Sequence, residues 1–194
     1  MNAEKIAVLF PGIGYNNDKP LMYYAAKVVR ELGYDIIKIE YDFPYKAGDI
    51  KGKKDMMVDA FKLAARQAKE QLSQVDFAKY RDVLFIGKSI GTAVAGFCNK
   101  ELDAHAVQIV MTPVPETFKY LEGVKKALVL HGTKDPWCDT EIADEYCRKL
   151  SLPFAMVPDA NHSLETGDIA ADIENLGIII NRIKNYVGGL HNAF

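Results

Sequence analysis

The chain has 194 residues, a formal net charge of −2 and 49% hydrophobic residues, which suits one globular domain over residues 1–194 with a real core. The near-balanced charge, with no basic stripe, argues against nucleic acid as a partner, and no apolar run approaches the length of a membrane span. The three cysteines, Cys98, Cys138 and Cys147, match neither a disulfide framework nor a zinc pattern; with no secretory-leader pattern ahead of the first strand-like run, they lead us to expect free thiols in a cytoplasmic protein.

The apolar run Ile6–Phe10, closed by Pro11-Gly12, predicts a buried strand. A helical pattern follows from Pro20 to Leu32, with Gly33 placed to end it. Ile36–Ile39 predicts a second strand. Asp55–Val75 predicts a long amphipathic helix with Met57, Phe61, Ala64, Ala68, Leu72 and Val75 on one stripe. Val83–Ile86 is the third predicted strand, and the run from Ser89 to Cys98 opens a helix. Val107–Val110 and Ala127–Leu130 are the fourth and fifth strands, the fifth stopped by His131-Gly132. Glu141–Leu150 predicts a helix with Asp139 as its N-cap. Phe154–Val157 is the sixth strand. The last helix runs from Asp168 to Tyr186, with Ile173, Leu176, Ile180 and Ile183 on its buried face. Apolar strands alternating with helices predict an α/β fold. Its mostly parallel six-stranded sheet lies between two helical layers, a three-layer α/β/α sandwich.

In such sheets the functional groups collect in loops at the C-terminal strand ends. The loop after the third strand reads Gly87-Lys88-Ser89-Ile90-Gly91. A Gly-x-Ser-x-Gly run between strand and helix puts a serine on a turn sharp enough to project its hydroxyl from the sheet, which points to nucleophilic catalysis by Ser89. Two other motifs fail on inspection. Gly87-Lys88-Ser89 resembles the end of a phosphate-binding loop, but the required upstream glycine is Asp82; Gly12-Ile13-Gly14 resembles a dinucleotide fingerprint, but the third glycine position is Asn17.

The loop after the fifth strand contains His131-Gly132-Thr133-Lys134-Asp135-Pro136-Trp137, and the loop after the sixth contains Asn161-His162. With Ser89 these supply an ordered Ser, Asp, His set on three different strands. On these motifs the chain resembles the α/β-hydrolase superfamily along essentially its whole length. It is most similar to the small dienelactone-hydrolase-like members, although those use a cysteine nucleophile where this chain has Ser89. The resemblance implies Ser89 as nucleophile, Asp135 as acid and His162 as base. It also implies an oxyanion hole from the Ile90 N–H and a second N–H in the loop after the first strand. Ile13 is our choice there, with Gly14 and Tyr15 open.

Among the aromatic residues near these loops, Tyr15 and Trp137 are assigned to shaping a substrate pocket. Of the other histidines, His105 fits a strand start, His131 a structural position before Gly132, and His191 the tail. Cys138 carries no visible activating group, and Lys88 has no evident role. The first strand already carries the oxyanion loop, and the Thr112–Gly123 connection is too short for a helical lid. We therefore expect a minimal, lidless fold with an open site and a small soluble ester or thioester as its partner, needing neither metal nor cofactor. An acyltransferase, a short-peptide hydrolase and a non-catalytic binding protein are the alternatives. The oligomeric state is not encoded in any pattern we read.

Overall fold

The computed structural model describes residues 4–190; His191 lies outside them. In chain order the elements are β1 (Lys5–Phe10), α1 (Pro20–Glu31), β2 (Asp35–Lys38), α2 (Ala47–Ile50), α3 (Lys54–Leu72), β3 (Asp82–Lys88), α4 (Ile90–Glu101), β4 (Val107–Met111), α5 (Phe118–Leu121), β5 (Ala127–Gly132), α6 (Thr140–Lys149), β6 (Phe154–Val157) and α7 (Ile169–Gly189). The strands form one six-stranded sheet in the order β2-β1-β3-β4-β5-β6. Every neighbouring pair is parallel.

Burial explains the continuous apolar strands. One sheet face packs Leu9, Ile86, Met111 and Leu130 against Met22 and Ala25 of α1 and Ile179 and Ile183 of α7. The opposite face packs Val8 and Phe85 against Ala64, Ala68 and Leu72 of α3 and Val94 and Cys98 of α4. Farther along that face, Val110 and Val129 meet Phe118 of α5 and Ala143 and Cys147 of α6. With both faces covered, no strand has a polar side to show, so alternation disappears. Small residues on the buried side of α3 and α4 allow the two helices to sit closely on the sheet and each other.

Four predicted boundaries need correction. β5 does not stop at His131-Gly132: those two residues pair in register with Met156 and Val157, so the strand continues through them. β3 likewise extends to Lys88, opposite Met111. Val75 lies beyond the end of α3, although it still packs against the core. Ile173, predicted on the buried face of α7, is 67% exposed; the helix meets the core only from Leu176 onward, through Ile179, Ile183 and Val187 at four-residue intervals. Asp139 occupies the N-cap position of α6 as expected, but its side chain makes no capping hydrogen bond; Asp168, read as the first residue of the last helix, instead caps α7, its carboxylate accepting from the Ala171 N–H at 2.9 Å. The short helices α2 and α5 carry too few apolar positions to show a period in the sequence.

Candidate active site

Ser89 stands between β3 and α4 with φ 58° and ψ −128°, a left-handed conformation that is costly for any residue with a Cβ. The crowding around it accounts for the flanking glycines. A Cβ on Gly91 would overlap the Phe10 carbonyl oxygen, and one on Gly87 would lie 2.6 Å from the Thr92 Cα. The turn is held by Ser89 N–H donating to the Met111 carbonyl at 3.0 Å. The Ser89 carbonyl accepts from the Thr92 N–H at 2.9 Å and from the Thr92 hydroxyl at 2.6 Å.

Asp135 follows β5 in a tight turn, its N–H donating to the Gly132 carbonyl at 3.0 Å. Its side chain is fully buried. One carboxylate oxygen accepts from the Trp137 N–H at 2.9 Å, and the two oxygens lie 2.8 and 2.7 Å from His162 Nδ1. A carboxylate only accepts, so Nδ1 carries the proton and Nε2 presents a lone pair. Nε2 is 2.7 Å from the Ser89 Oγ. The structure thus brings Ser89, His162 and Asp135 into one hydrogen-bonded chain from three strand ends. The two loops are also tied together. Lys134 N–H donates to the Ala160 carbonyl at 2.9 Å and Asp159 N–H to the Thr133 hydroxyl at 2.8 Å. The Asn161 carboxamide oxygen accepts from Ser163 N–H at 2.7 Å, closing the turn around His162.

Burial holds the His162 imidazole below its ordinary pKa; the bond to Asp135 opposes this, while the positive charge of Lys88 adds to it. The imidazole is therefore neutral at neutral pH. His131, by contrast, is fully buried within β5, with Nε2 3.0 Å from the Thr140 hydroxyl, the structural placement its sequence position suggests. His105 lies just before β4, exposed and beside Asp103 at 3.2 Å.

Ile90 N–H is the first amide of α4, where helices leave donors unpaired. In the loop after β1, Gly12 and Tyr15 bond to each other in both directions, Gly12 N–H to Tyr15 oxygen at 3.0 Å and Tyr15 N–H to Gly12 oxygen at 3.3 Å. That commits the Tyr15 amide and leaves those of Ile13 and Gly14 without a partner among the described residues. Ile13, Gly14, Ser89, Ile90 and His162 all line one cavity of about 750 Å³. Trp137 is in its wall with its ring 5.7 Å from that of His162, and Tyr15 lines it too.

The cavity has a wall that the sequence pattern does not outline. Ala47, Ile50, Met57, Val58 and Phe61, from α2 and α3, build a largely apolar wall, and the volume lies well inside the range that encloses a drug-sized ligand. The sequence pattern points only to the β4–β5 connection as a possible cover and misses that the β2–β3 connection lines the same cavity as Ser89. The second omission is Lys88, which is 1% exposed beside Ser89; the pleat assigns it to a buried face, a signal available once β3 is extended. The three thiols are buried and pushed up to about 12 by burial. Among the described residues no group of His, Cys, Asp and Glu is arranged to hold a metal ion, and no helix is long and apolar enough to cross a membrane.

Residues 3–171 match the alpha/beta hydrolase domain family, and the chain belongs to it. No curated protein matches the chain. Among solved structures, dienelactone hydrolase from Anabaena variabilis is 18% identical, with 97% of this chain and 87% of that one covered and a TM-score of 0.67. An alpha/beta serine hydrolase without lid from Xanthomonas campestris is 17% identical over 94% and 83% of the two chains, at a TM-score of 0.58. An esterase from Pyrococcus furiosus is 14% identical over 95% and 84%, at a TM-score of 0.64. At these identities the likeness is one of fold.

Proposed function

We propose that this alpha/beta hydrolase family member, read as one domain over residues 1–194, cleaves a carboxylic ester or thioester through an acyl-enzyme on Ser89. The observation that carries the reading is the unbroken chain from Asp135 through His162 to Ser89, with 2.7 Å between Nε2 and Oγ. His162 Nε2 takes the Ser89 proton as Oγ attacks the acyl carbon. The developing oxyanion accepts hydrogen bonds from the Ile90 N–H and from the uncommitted Ile13 amide, with Gly14 beside it. Asp135 holds the imidazolium, which returns the proton to the departing alcohol or thiol. Water then repeats the sequence on the acyl-enzyme.

The apolar wall from Ile50, Met57 and Phe61, closed by Trp137, favours an acyl group with several carbons over acetate. Burying each further methylene contributes ~0.8 kcal/mol, about fourfold in kcat/KM, until the cavity is full. A fluorophosphonate probe tests the reading. Folded protein should be labelled at Ser89 and Ser89→Ala should not; folded wild-type protein that takes no label overturns it. A graded series of p-nitrophenyl esters and thioesters then gives acyl length and leaving-group class.

A further inference from the structure

Lys88 is a buried lysine without a bonded partner. The pleat of β3 places it on the face of Leu84 and Ile86, and only 1% of it is exposed. Among the described residues its side chain makes neither a hydrogen bond nor an ion pair. Its close neighbour is an aromatic ring: Nζ lies 4.7 Å from the centroid of Tyr15. The charged and titratable groups facing it are Asp135 from the loop after β5, His162 and Glu165 from the loop after β6, and Tyr15 from the loop after β1. An apolar side chain would fill this space at lower cost, since an unpaired buried charge is strongly disfavoured.

Tyr15 explains what a cation does there. It closes the turn whose other end is Gly12, through the reciprocal backbone bonds, and its hydroxyl accepts from the Leu21 N–H at 3.2 Å. The turn lies against the serine, since a Cβ on Gly12 would be 3.0 Å from the Ser89 Cβ. The two uncommitted amides, Ile13 and Gly14, sit between its ends. We infer that the Lys88 ammonium is a positioning residue for the oxyanion turn: by holding the face of Tyr15 it fixes the Gly12–Tyr15 segment, and with it the Ile13 and Gly14 amides, beside Ser89. This inference rests on the hydrolase reading of Ser89.

The ring attracts the ammonium and has no comparable attraction for a neutral amine. Burial pushes Lys88 down to about 7, against the pull of Asp135 and Glu165. Two groups then make opposite demands: His162 must be neutral and Lys88 must be charged. kcat therefore rises with pH as His162 loses its proton and falls again as Lys88 loses its own, a bell with a narrow top.

The test is the pH dependence of kcat and KM for wild type, Lys88→Met, Lys88→Arg and Tyr15→Leu, with a soluble fluorogenic ester at constant ionic strength. Wild type should show an alkaline limb with a midpoint near 7, falling about tenfold in kcat with little change in KM. Lys88→Met should be about tenfold slower at the wild-type optimum and lack the limb. Lys88→Arg should keep activity on the alkaline side. A wild-type plateau to about pH 9, or a Lys88→Met profile superimposable on wild type, overturns the proposal. If both Lys88 variants fail to fold, Tyr15→Leu decides, because losing the ring should abolish the limb and a persisting limb overturns it. An NMR titration of Ser89→Ala protein reads the turn without turnover. The Ile13 and Gly14 amide resonances should move with a midpoint near 7, and stationary amides overturn the positioning role. Moving amides together with an unlabelled Ser89 would sink the hydrolase reading alone.

Discussion

At the end of β3 crowding on both sides of Ser89 adds to the hydrogen bonds of its turn, whereas beyond the one crowded position, Gly132 against the Ala160 carbonyl, the loops after β5 and β6 are held by hydrogen bonds. Ser89 sits at φ 58° because Gly87 and Gly91 let α4 press against β1 and β3 with no room for a Cβ. Asp135 and His162 are aimed by polar contacts: Asp135 to the Trp137 amide, Asn161 to the Ser163 amide, Thr133 to the Asp159 amide. Crowding is all-or-none, because a single methyl group has nowhere to go. Hydrogen bonds are graded, because each can be removed alone and the rest still hold the loop. The nucleophile is therefore placed rigidly, and its partners are placed by several separable contacts.

Substitutions should reproduce that difference. Gly91→Ala should do the most damage, lowering unfolding free energy by ~3 kcal/mol or more in denaturant titrations and abolishing Ser89 labelling, since the new methyl forces β1 and α4 apart. A stable, labelled Gly91→Ala protein would break the comparison. Asp135→Asn should cut kcat by roughly 10⁴ while the protein stays folded, because the amide no longer fixes the imidazole tautomer; circular dichroism and turnover together check it. Asn161→Ala should be intermediate, about tenfold in kcat and ~1 kcal/mol in stability, as two amides lose an acceptor while the inter-loop bonds remain. The acid limb of kcat/KM should have its midpoint below 6.5. Burial lowers the His162 pKa, so its neutral form persists to lower pH than in an exposed histidine; a midpoint above 6.5 would show that Asp135 outweighs burial. Ile173→Lys on the exposed part of α7 should change stability by no more than ~0.5 kcal/mol.

The same contrast explains what could be read from the sequence. The elbow was legible because its sterics admit few residue types: Gly87, Ser89 and Gly91 in a fixed spacing after an apolar strand. Asp135 and His162 were legible by their order and strand-end placement more than by their loops. All six strands were legible as continuous apolar runs because both sheet faces are buried. The cavity wall was not legible, since Met57 and Phe61 read equally well as an amphipathic helix facing the sheet, and Ile50, in a helix of four residues, shows no period. Ile173 was misplaced because helical period says which residues share a stripe and not where along the helix the neighbour begins. Lys88 was invisible in role, because the strand pleat says only that it faces inward; the packing of Tyr15 over it supplies the reason.

Cys98 lies toward the C-terminal end of the helix that begins after the nucleophile, packed against Val8 and Phe85, and Cys138 and Cys147 lie beside and in α6, on the side of the acid. All three thiols are sealed and held protonated, so an alkylating reagent reaches them only when the surrounding structure opens. The protein thus carries its own clock for motion on each side of the site. In a pulse of iodoacetamide followed by mass spectrometry, Cys138 and Cys147 time the opening of the hydrogen-bonded side and Cys98 times that of the crowded one.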